Sequence, residues 1–138
     1  MIEPTIFSTP INVRFRDLDA MGHVNNAVFF TYFEQGRLDL FNSASSENTF
    51  PGFDFILAQI SCDYLKPVTI DDRLVLQIKV GNIGSKSFTF DYTIVNRNDA
   101  DAIYATGKSV QVCYDYKKGV TMSVPEDLNK LMLNFYWP

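Results

Sequence analysis

The stretch that decides the fold is RFRDLDAMGHVNNAVFFTYFEQGRLDLF, residues 14–41. Between Asp17 and Asn26 it holds two aspartates, a glycine, the only histidine of the chain and two asparagines. The residues that follow are mostly apolar and aromatic, with no proline and no glycine before Gly36. Since Asn25 and Asn26 are both good N-cap residues, the pattern predicts a polar turn followed by an amphipathic helix.

The period of the apolar residues changes across this stretch. Upstream, Ile11, Val13 and Phe15 alternate with polar residues, as in a half-buried strand. Downstream, apolar residues fall at helical spacings and predict the buried helix face: Val28, Phe30, Phe33, Arg37, Leu38 and Phe41. Gly36 lowers helix propensity, so we expect it where the helix approaches its neighbour closely.

Four further segments, within residues 53–68, 74–80, 88–94 and 104–116, alternate with period two and predict strands. Their predicted buried faces are Ile56, Ala58, Ile60, Cys62 and Tyr64; Leu74, Leu76, Ile78 and Val80; Phe88, Phe90, Tyr92 and Ile94; and Tyr104, Thr106, Lys108, Val110, Val112, Tyr114 and Tyr116. Short turns between them cannot make parallel crossovers, so we expect the last four strands to form an antiparallel meander. Residues 123–135 predict a short C-terminal helix.

The predicted fold is therefore α+β, with one long helix packed on a curved antiparallel sheet of about five strands. The 138 residues, of which 46% are hydrophobic and 20% charged, predict a single domain spanning 1–138. The aromatic share of 14% suggests a thick core, an apolar ligand tunnel or a subunit interface.

The net charge and the two cysteines restrict the classes of function that the chain could have. A net charge of -4 argues against nucleic acid or an anionic membrane as a main partner. Cys62 and Cys113 lie far apart with no metal-binding spacing, and we interpret them as reduced thiols. With no secretion signal and no long apolar run, we expect a soluble cytoplasmic protein.

The segment FRDLDAMGHVNNAVFFTYFEQGR, residues 15–37, resembles the signature of hotdog-fold acyl-CoA thioesterases of the 4-hydroxybenzoyl-CoA thioesterase type. That signature is Asp-x-Asp-x-x-Gly-(His)-x-Asn, followed by an aromatic and then by Glu and Arg along the helix. YLKPVTIDDRLVLQIKV (residues 64–80) and IGSKSFTFDYTI (residues 83–94) resemble later segments of the same family. The resemblance implies a hotdog fold, hydrolysis of acyl thioesters, and homodimers or homotetramers with sites at the subunit interface.

The resemblance maps the working carboxylate onto Asp19 and the oxyanion donor onto the backbone N–H of Asn26. A carboxylate can attack the thioester carbonyl directly or deprotonate a water. The free N–H groups at the start of a helix can hold the oxyanion that develops. Without the resemblance, Asp19 would be an ordinary turn residue. Asp17 would lie on the same side, and repulsion between the two carboxylates suggests a structural role for it.

The neighbouring polar residues have weaker functional interpretations. His23 could orient the substrate or transfer a proton to the leaving thiolate, or simply complete the turn. Gly22 could supply a backbone conformation or a close approach to substrate. Asn25 is a cap that would also shape the oxyanion site. A single histidine offers no histidine-cluster metal mechanism, so neither a metal nor another cofactor is predicted.

Three further substrate-binding candidates lie outside the turn. Phe30 is one of several helix aromatics that cannot all face the sheet, so some must meet a partner subunit or the acyl group. Glu34 could orient substrate, pair with Arg37 or act as a reserve catalytic carboxylate. Lys86 is a candidate for the phosphates of CoA, and Lys66 and Arg97 are further basic residues near predicted strand ends.

Two alternatives to a thioesterase remain at this point. A hotdog dehydratase or hydratase would need a histidine and a helix acid, which His23 and Glu34 could supply. The chain could also be a non-catalytic module that binds acyl thioesters. The sequence leaves open the acyl group and whether it is carried by CoA or by an acyl carrier protein.

Overall fold

One long helix lies against a six-stranded sheet whose paired strands are all antiparallel. The computed structural model describes residues 5–43 and 54–137. In chain order the elements are strand β1 (Phe7–Ile11), a 3-10 turn (Phe15–Asp17), helix α1 (Val28–Ser43), strands β2 (Phe55–Tyr64), β3 (Leu74–Ile83), β4 (Ser87–Asn96), β5 (Asp99–Asp115) and β6 (Val120–Thr121), and helix α2 (Glu126–Leu133). The predicted α+β class, the long helix and the short C-terminal helix are confirmed.

The order of strands in the sheet is β1-β3-β4-β5-β2, with β6 paired to β5. Strands β3, β4 and β5 form the expected meander, but the prediction that β2 belongs to it is wrong. β1 occupies the outer edge of β3, so β2 pairs with the free edge of β5 instead. Residues 65–73 then carry the chain back to β3, and the N–H groups of Leu65 and Lys66 donate to the Tyr104 carbonyl on the way.

The predicted inner faces of β3 and β4 are confirmed, because both sets of four alternating apolar residues are fully or almost fully buried. The helix face was predicted only in part. Leu38 is 38% exposed, whereas α1 buries Phe29, Tyr32, Phe33, Gly36, Arg37, Leu40 and Phe41. At Gly36 an added Cβ would collide with the Leu76 side chain, which confirms the expected close approach of helix to sheet.

Three other predicted faces were wrong in part. β5 buries Tyr104 as predicted, but further along it buries Ser109, Gln111 and Cys113 and not Val110 and Val112. The pairing of β4 with β5 shifts register near the start of β5. Beneath α1, Ser109 bonds to Tyr92 and accepts from the Gln111 amide nitrogen, whereas Gln111 Oε1 has no partner within the described residues. Phe15 is 86% exposed because β1 ends before it, at Ile11.

The predicted face of β2 is interrupted by an irregularity in its pairing with β5, between Leu57 and Gln59. Such a bulge turns the following side chains to the other face of a strand. As a result Ile60 and Cys62 are partly buried against the core as predicted, but Ile56, before the bulge, is exposed. Tyr64 is exposed as well, at the end of the strand. Neither described helix combines the length and apolar character needed to cross a membrane.

Candidate active site

A tight loop precedes α1 and holds most of the predicted catalytic residues. The Asp19 N–H donates to the His23 carbonyl at 2.7 Å, and the Gly22 N–H donates to the Asp19 carbonyl at 3.1 Å. Gly22 has a φ of 78°, a left-handed conformation that favours glycine over residues with a Cβ. The loop therefore depends on Gly22 for its shape, and that shape sets the direction of the Asp19 side chain.

The two carboxylate oxygens of Asp19 have different surroundings. Oδ1 accepts hydrogen bonds from the backbone N–H groups of Met21 at 2.9 Å and His23 at 3.2 Å. Oδ2 has no hydrogen-bond partner within residues 5–43 and 54–137, and the residue is exposed. Asp19 is thus a turn residue that still offers one carboxylate oxygen for chemistry.

Asp17, two residues earlier, is fully occupied by structural contacts. It is 2% exposed, and it accepts hydrogen bonds from the Tyr32 hydroxyl at 2.8 Å and the Arg14 N–H at 2.9 Å. The Arg14 guanidinium also lies 3.3 Å from its other oxygen. Burial pushes the pKa of Asp17 upward, but these hydrogen bonds and the Arg14 charge outweigh burial and lower the pKa. The expected structural role of Asp17 is confirmed.

The backbone N–H groups at the start of α1 differ in whether they have an acceptor. Asn25 Oδ1 accepts the Ala27 N–H at 2.9 Å, and the Asn25 carbonyl accepts the Val28 N–H at 2.9 Å. The Asn26 N–H has no such acceptor in the part of the chain that the structure describes. A free N–H at the positive end of a helix is a suitable donor to an oxyanion.

Asp19, His23 and Asn26 line the same cavity, which has a volume of about 260 Å³. Its other wall comes from the end of β2 and the residues after it. The remaining lining residues are Val24, Phe29, Tyr64, Leu65, Lys66, Pro67 and Val68. The cavity therefore joins a carboxylate, an imidazole and a helix start to a partly apolar wall.

Among the lining residues that the sequence had not assigned to the site are Tyr64, Leu65, Pro67 and Val68. They lie in YLKPV, at the beginning of residues 64–80, which resemble a later segment of the family. The resemblance therefore marked this segment but implied no site role for these four residues. Lys66, which had been considered for CoA phosphates, does line the cavity. Its ammonium lies 5.2 Å from the centre of the Tyr104 ring, a cation–π contact.

The remaining candidates are not brought to this cavity within one protomer. Phe30 is partly buried, with its ring edge-on to Phe33 at 6.3 Å. Glu34 is exposed and lines a different cavity, of about 230 Å³, together with Arg37. Lys86 lies in the β3–β4 turn, at the end of the sheet away from the β2–β3 connection, where its ammonium is 3.4 Å from the Thr121 hydroxyl.

A second set of polar side chains lies beneath the middle of α1. Arg37, 8% exposed, donates from a guanidinium nitrogen to the Tyr92 hydroxyl at 3.0 Å. That hydroxyl shares a hydrogen bond of 2.5 Å with Ser109, to which Gln111 also donates. We call Arg37, Tyr92, Ser109 and Gln111 the buried polar cluster. The Glu34–Arg37 ion pair considered from the sequence is not formed within the described residues.

Side chains suited to metal binding are not grouped in threes or more within residues 5–43 and 54–137. The polar residues that line the cavity are instead Asp19, His23, Asn26, Tyr64 and Lys66. These groups can supply a base or nucleophile, a proton carrier and an oxyanion donor.

Comparison with known families gives the class of protein. The model of the thioesterase-like superfamily matches residues 13–131. The chain belongs to this superfamily, and both the hotdog fold and the thioester hydrolase class predicted from the sequence are confirmed.

Individual relatives agree with this assignment. The long-chain acyl-CoA thioesterase FadM of Escherichia coli is 27% identical over 124 residues, covering 88% of this chain and 93% of the relative. A thioesterase from Thermus thermophilus, solved with coenzyme A and Zn, is 30% identical, with a TM-score of 0.77 and coverage of 91% of this chain and 90% of that one. The 1,4-dihydroxy-2-naphthoyl-CoA thioesterase of Synechocystis shares the fold, with a TM-score of 0.81 at 21% identity, covering 94% and 97% of the two chains.

Proposed function

We propose that this protein hydrolyses acyl-CoA, or the same acyl thioester on an acyl carrier protein, to a free acid and a thiol. Asp19 acts as nucleophile or general base, and the backbone N–H of Asn26 donates to the oxyanion. The observation that carries the proposal is that Asp19 and Asn26 line one cavity, and that within the described residues one carboxylate oxygen of Asp19 and the N–H of Asn26 have no hydrogen-bond partner. The relatives named for acyl-CoA hydrolysis and the Thermus protein that holds coenzyme A support the choice of thioester.

Either form of the reaction uses the same groups. Direct attack by Asp19 on the thioester carbonyl gives a tetrahedral oxyanion, whose collapse breaks the C–S bond and leaves a mixed anhydride that water hydrolyses. As a general base, Asp19 would instead take a proton from the attacking water. The departing thiolate needs a proton in both cases, and His23 at the cavity wall is placed to orient it or to carry that proton.

Asp19→Asn tests the proposal. Asparagine keeps an oxygen that can accept the Met21 and His23 N–H groups, so the loop should persist while the carboxylate is lost. We expect kcat to fall by about 10²–10⁴-fold in a thiol-release assay over acyl-CoAs of different length and aromatic acyl groups. Asp63→Asn, which removes another exposed carboxylate near the end of β2, is the control and should retain activity. Near-normal turnover by the Asp19 variant would refute the mechanism.

The same assays address the alternatives. A dehydratase or hydratase would change absorbance at the enoyl wavelength with enoyl or hydroxyacyl thioesters, and it would require His23 and Glu34 to act together. Those two residues line different cavities of the protomer. A non-catalytic module would bind thioesters without releasing thiol from any substrate tested.

We further propose that the single domain forms a homodimer, or a homotetramer built from it, through the outer edge of β2. β2 is ten residues long and, within the described residues, pairs only with β5, and its bulged part exposes Ile56 and Leu57. A long unpaired apolar edge is a site for strand pairing between chains. The cavity opens beside this edge, where Leu65 is 60% exposed, so a partner there would border the active site.

Light scattering during size-exclusion chromatography tests the assembly. Leu57→Asp should shift the wild-type oligomer towards monomer, because a charge at the apolar edge opposes pairing. Leu133→Asp places the same charge on the exposed side of α2 and is expected to leave the assembly unchanged. A monomeric wild-type chain that remains active would contradict the proposed interface.

A further inference from the structure

Tyr64, the last residue of β2, links the sheet edge to the start of α1 through a hydrogen bond. Its hydroxyl donates to the Asn26 carbonyl at 2.7 Å. Its ring meets Phe29 edge-on, with centroids 5.0 Å apart and planes at 88°. Both residues line the cavity that holds Asp19. Tyr64 therefore spans the cavity wall and fixes one point of the helix start.

The bonded carbonyl belongs to the peptide between Asn26 and Ala27. The N–H of that peptide is also held, because it donates to Asn25 Oδ1 at 2.9 Å. A peptide unit is planar, so bonds to both its oxygen and its N–H fix its plane. The preceding peptide, which carries the free Asn26 N–H, shares the Asn26 Cα and loses freedom as a result.

The Tyr64 hydroxyl is suited to remain a donor. Burial raises the pKa of Tyr64, and the nearby Cys62 raises it further, so the hydroxyl keeps its proton at neutral pH. An oxyanion donor is most effective when its direction is fixed before the reaction. Holding the neighbouring peptide rigid is one way to achieve this.

We propose that Tyr64 is a positioning residue, which fixes the helix-start peptide so that the Asn26 N–H points into the cavity at the developing oxyanion. The inference rests on the proposed thioester hydrolysis by Asp19 and Asn26. Tyr64 itself forms no bond to substrate in this role. Its contribution is made when charge develops on the carbonyl oxygen, so it increases kcat and leaves ground-state binding almost unchanged.

Tyr64→Phe removes the hydroxyl and keeps the ring contact with Phe29. We expect kcat to fall about tenfold, less than the 10²–10³-fold typical of losing an oxyanion donor outright, because the Asn26 N–H remains present. KM should stay within about twofold, since the hydroxyl does not bind the ground state. The unfolding midpoint and the oligomeric state should match the wild type.

Tyr116→Phe is the matched control. The Tyr116 hydroxyl donates to the Phe55 carbonyl at 3.0 Å, so it tethers the first residue of β2 as Tyr64 tethers the last residue to α1. Both side chains are exposed, at 60% for Tyr116 and 41% for Tyr64. Tyr116 does not line the cavity, and its variant should retain wild-type kcat and KM.

The outcomes separate the two proposals. If Asp19→Asn is inactive but Tyr64→Phe behaves like Tyr116→Phe, hydrolysis by Asp19 stands and the positioning role is wrong. A rise in KM with unchanged kcat would also overturn it, because the hydroxyl would then serve binding. Equal losses of kcat in both tyrosine variants would assign the effect to the strand as a whole. Full activity of Asp19→Asn would overturn the proposed function itself.

Discussion

Two polar regions lie against α1, one at its start and one beneath its middle, and they differ in how far their hydrogen-bonding groups are used. At the start, one oxygen of Asp19 and the N–H of Asn26 lack partners within the described residues, and both residues line a cavity. In the buried polar cluster, Tyr92 accepts from Arg37 and shares a further bond with Ser109, and Gln111 Oε1, which has no partner within the described residues, is buried away from solvent.

The two regions differ in whether a substrate can reach them and in whether an accessible hydrogen-bond donor or acceptor remains to bind it. A buried, bonded polar group mainly supports the fold, because losing its partner leaves a desolvated group unpaired. An exposed group with an unused donor or acceptor adds less stability, but it can bind a reacting atom. Asp17 and Asp19 repeat this contrast two residues apart, since Asp17 is buried and fully bonded whereas Asp19 is exposed with one oxygen free of partners in the described chain.

The largest expected effect on stability comes from Tyr92→Phe. The change removes a hydroxyl from a residue that is 1% exposed and leaves the Arg37 guanidinium and Ser109 without that partner. We expect the free energy of unfolding in urea to fall by about 2–3 kcal/mol, as for buried bonds to charged groups. The kcat of the folded enzyme should stay within about twofold. Tyr64→Phe, the same chemical change in the other region, should instead lower kcat and leave the stability of the fold unchanged. A large loss of kcat in Tyr92→Phe would contradict the distinction between the two regions.

Asp17→Asn should cost about 1–2 kcal/mol at neutral pH, because an amide replaces a carboxylate that accepts several hydrogen bonds. The pKa of Asp17 is lower in the folded chain than the unfolded value of about 3.9. Its stabilisation is therefore fully present above the unfolded pKa and is lost as pH falls through the folded pKa. Urea unfolding measured from about pH 7 to about pH 3 should show that the difference in the free energy of unfolding between wild type and variant shrinks only below about pH 4. A gap that does not change with pH would contradict the assigned charge state.

The smallest expected effect concerns the rim of the cavity. Lys66→Gln removes an ammonium that lines the site, and we expect KM for acyl-CoA to rise about twofold to fivefold with kcat unchanged, the size of an exposed charge contact. The rise should diminish at high salt. Lys86→Gln is the comparison, because Lys86 lies at the other end of the sheet in the same protomer. An equal KM increase for Lys86→Gln would show that Lys86 reaches the substrate, which would require a partner subunit to bring it there.

Much of the architecture could be predicted from the chain. The inner faces of β3 and β4 follow from strict alternation of large apolar residues, and Gly36 correctly indicated a close approach to the sheet. Asp19 and Asn26 became candidates through the resemblance of residues 15–37 to a known signature, and the structure brings both residues to one cavity. Beyond Tyr104, the inner face of β5 was missed for a physical reason, since Ser109 is polar and becomes suitable for the core only because Tyr92 and Gln111 bond to it.

The sequence by itself determined the helix and the turn that precedes it, because these depend on local spacing, capping and backbone conformation, and its resemblance to a known signature made Asp19 the candidate carboxylate. Only the tertiary structure decided that β2 would pair with β5, since that choice depends on which sheet edge β1 leaves free. This pairing brings Tyr64 to the start of α1, 38 residues along the chain from Asn26, and Lys66 with it. The second wall of the cavity therefore follows from long-range strand pairing, which no local pattern specifies.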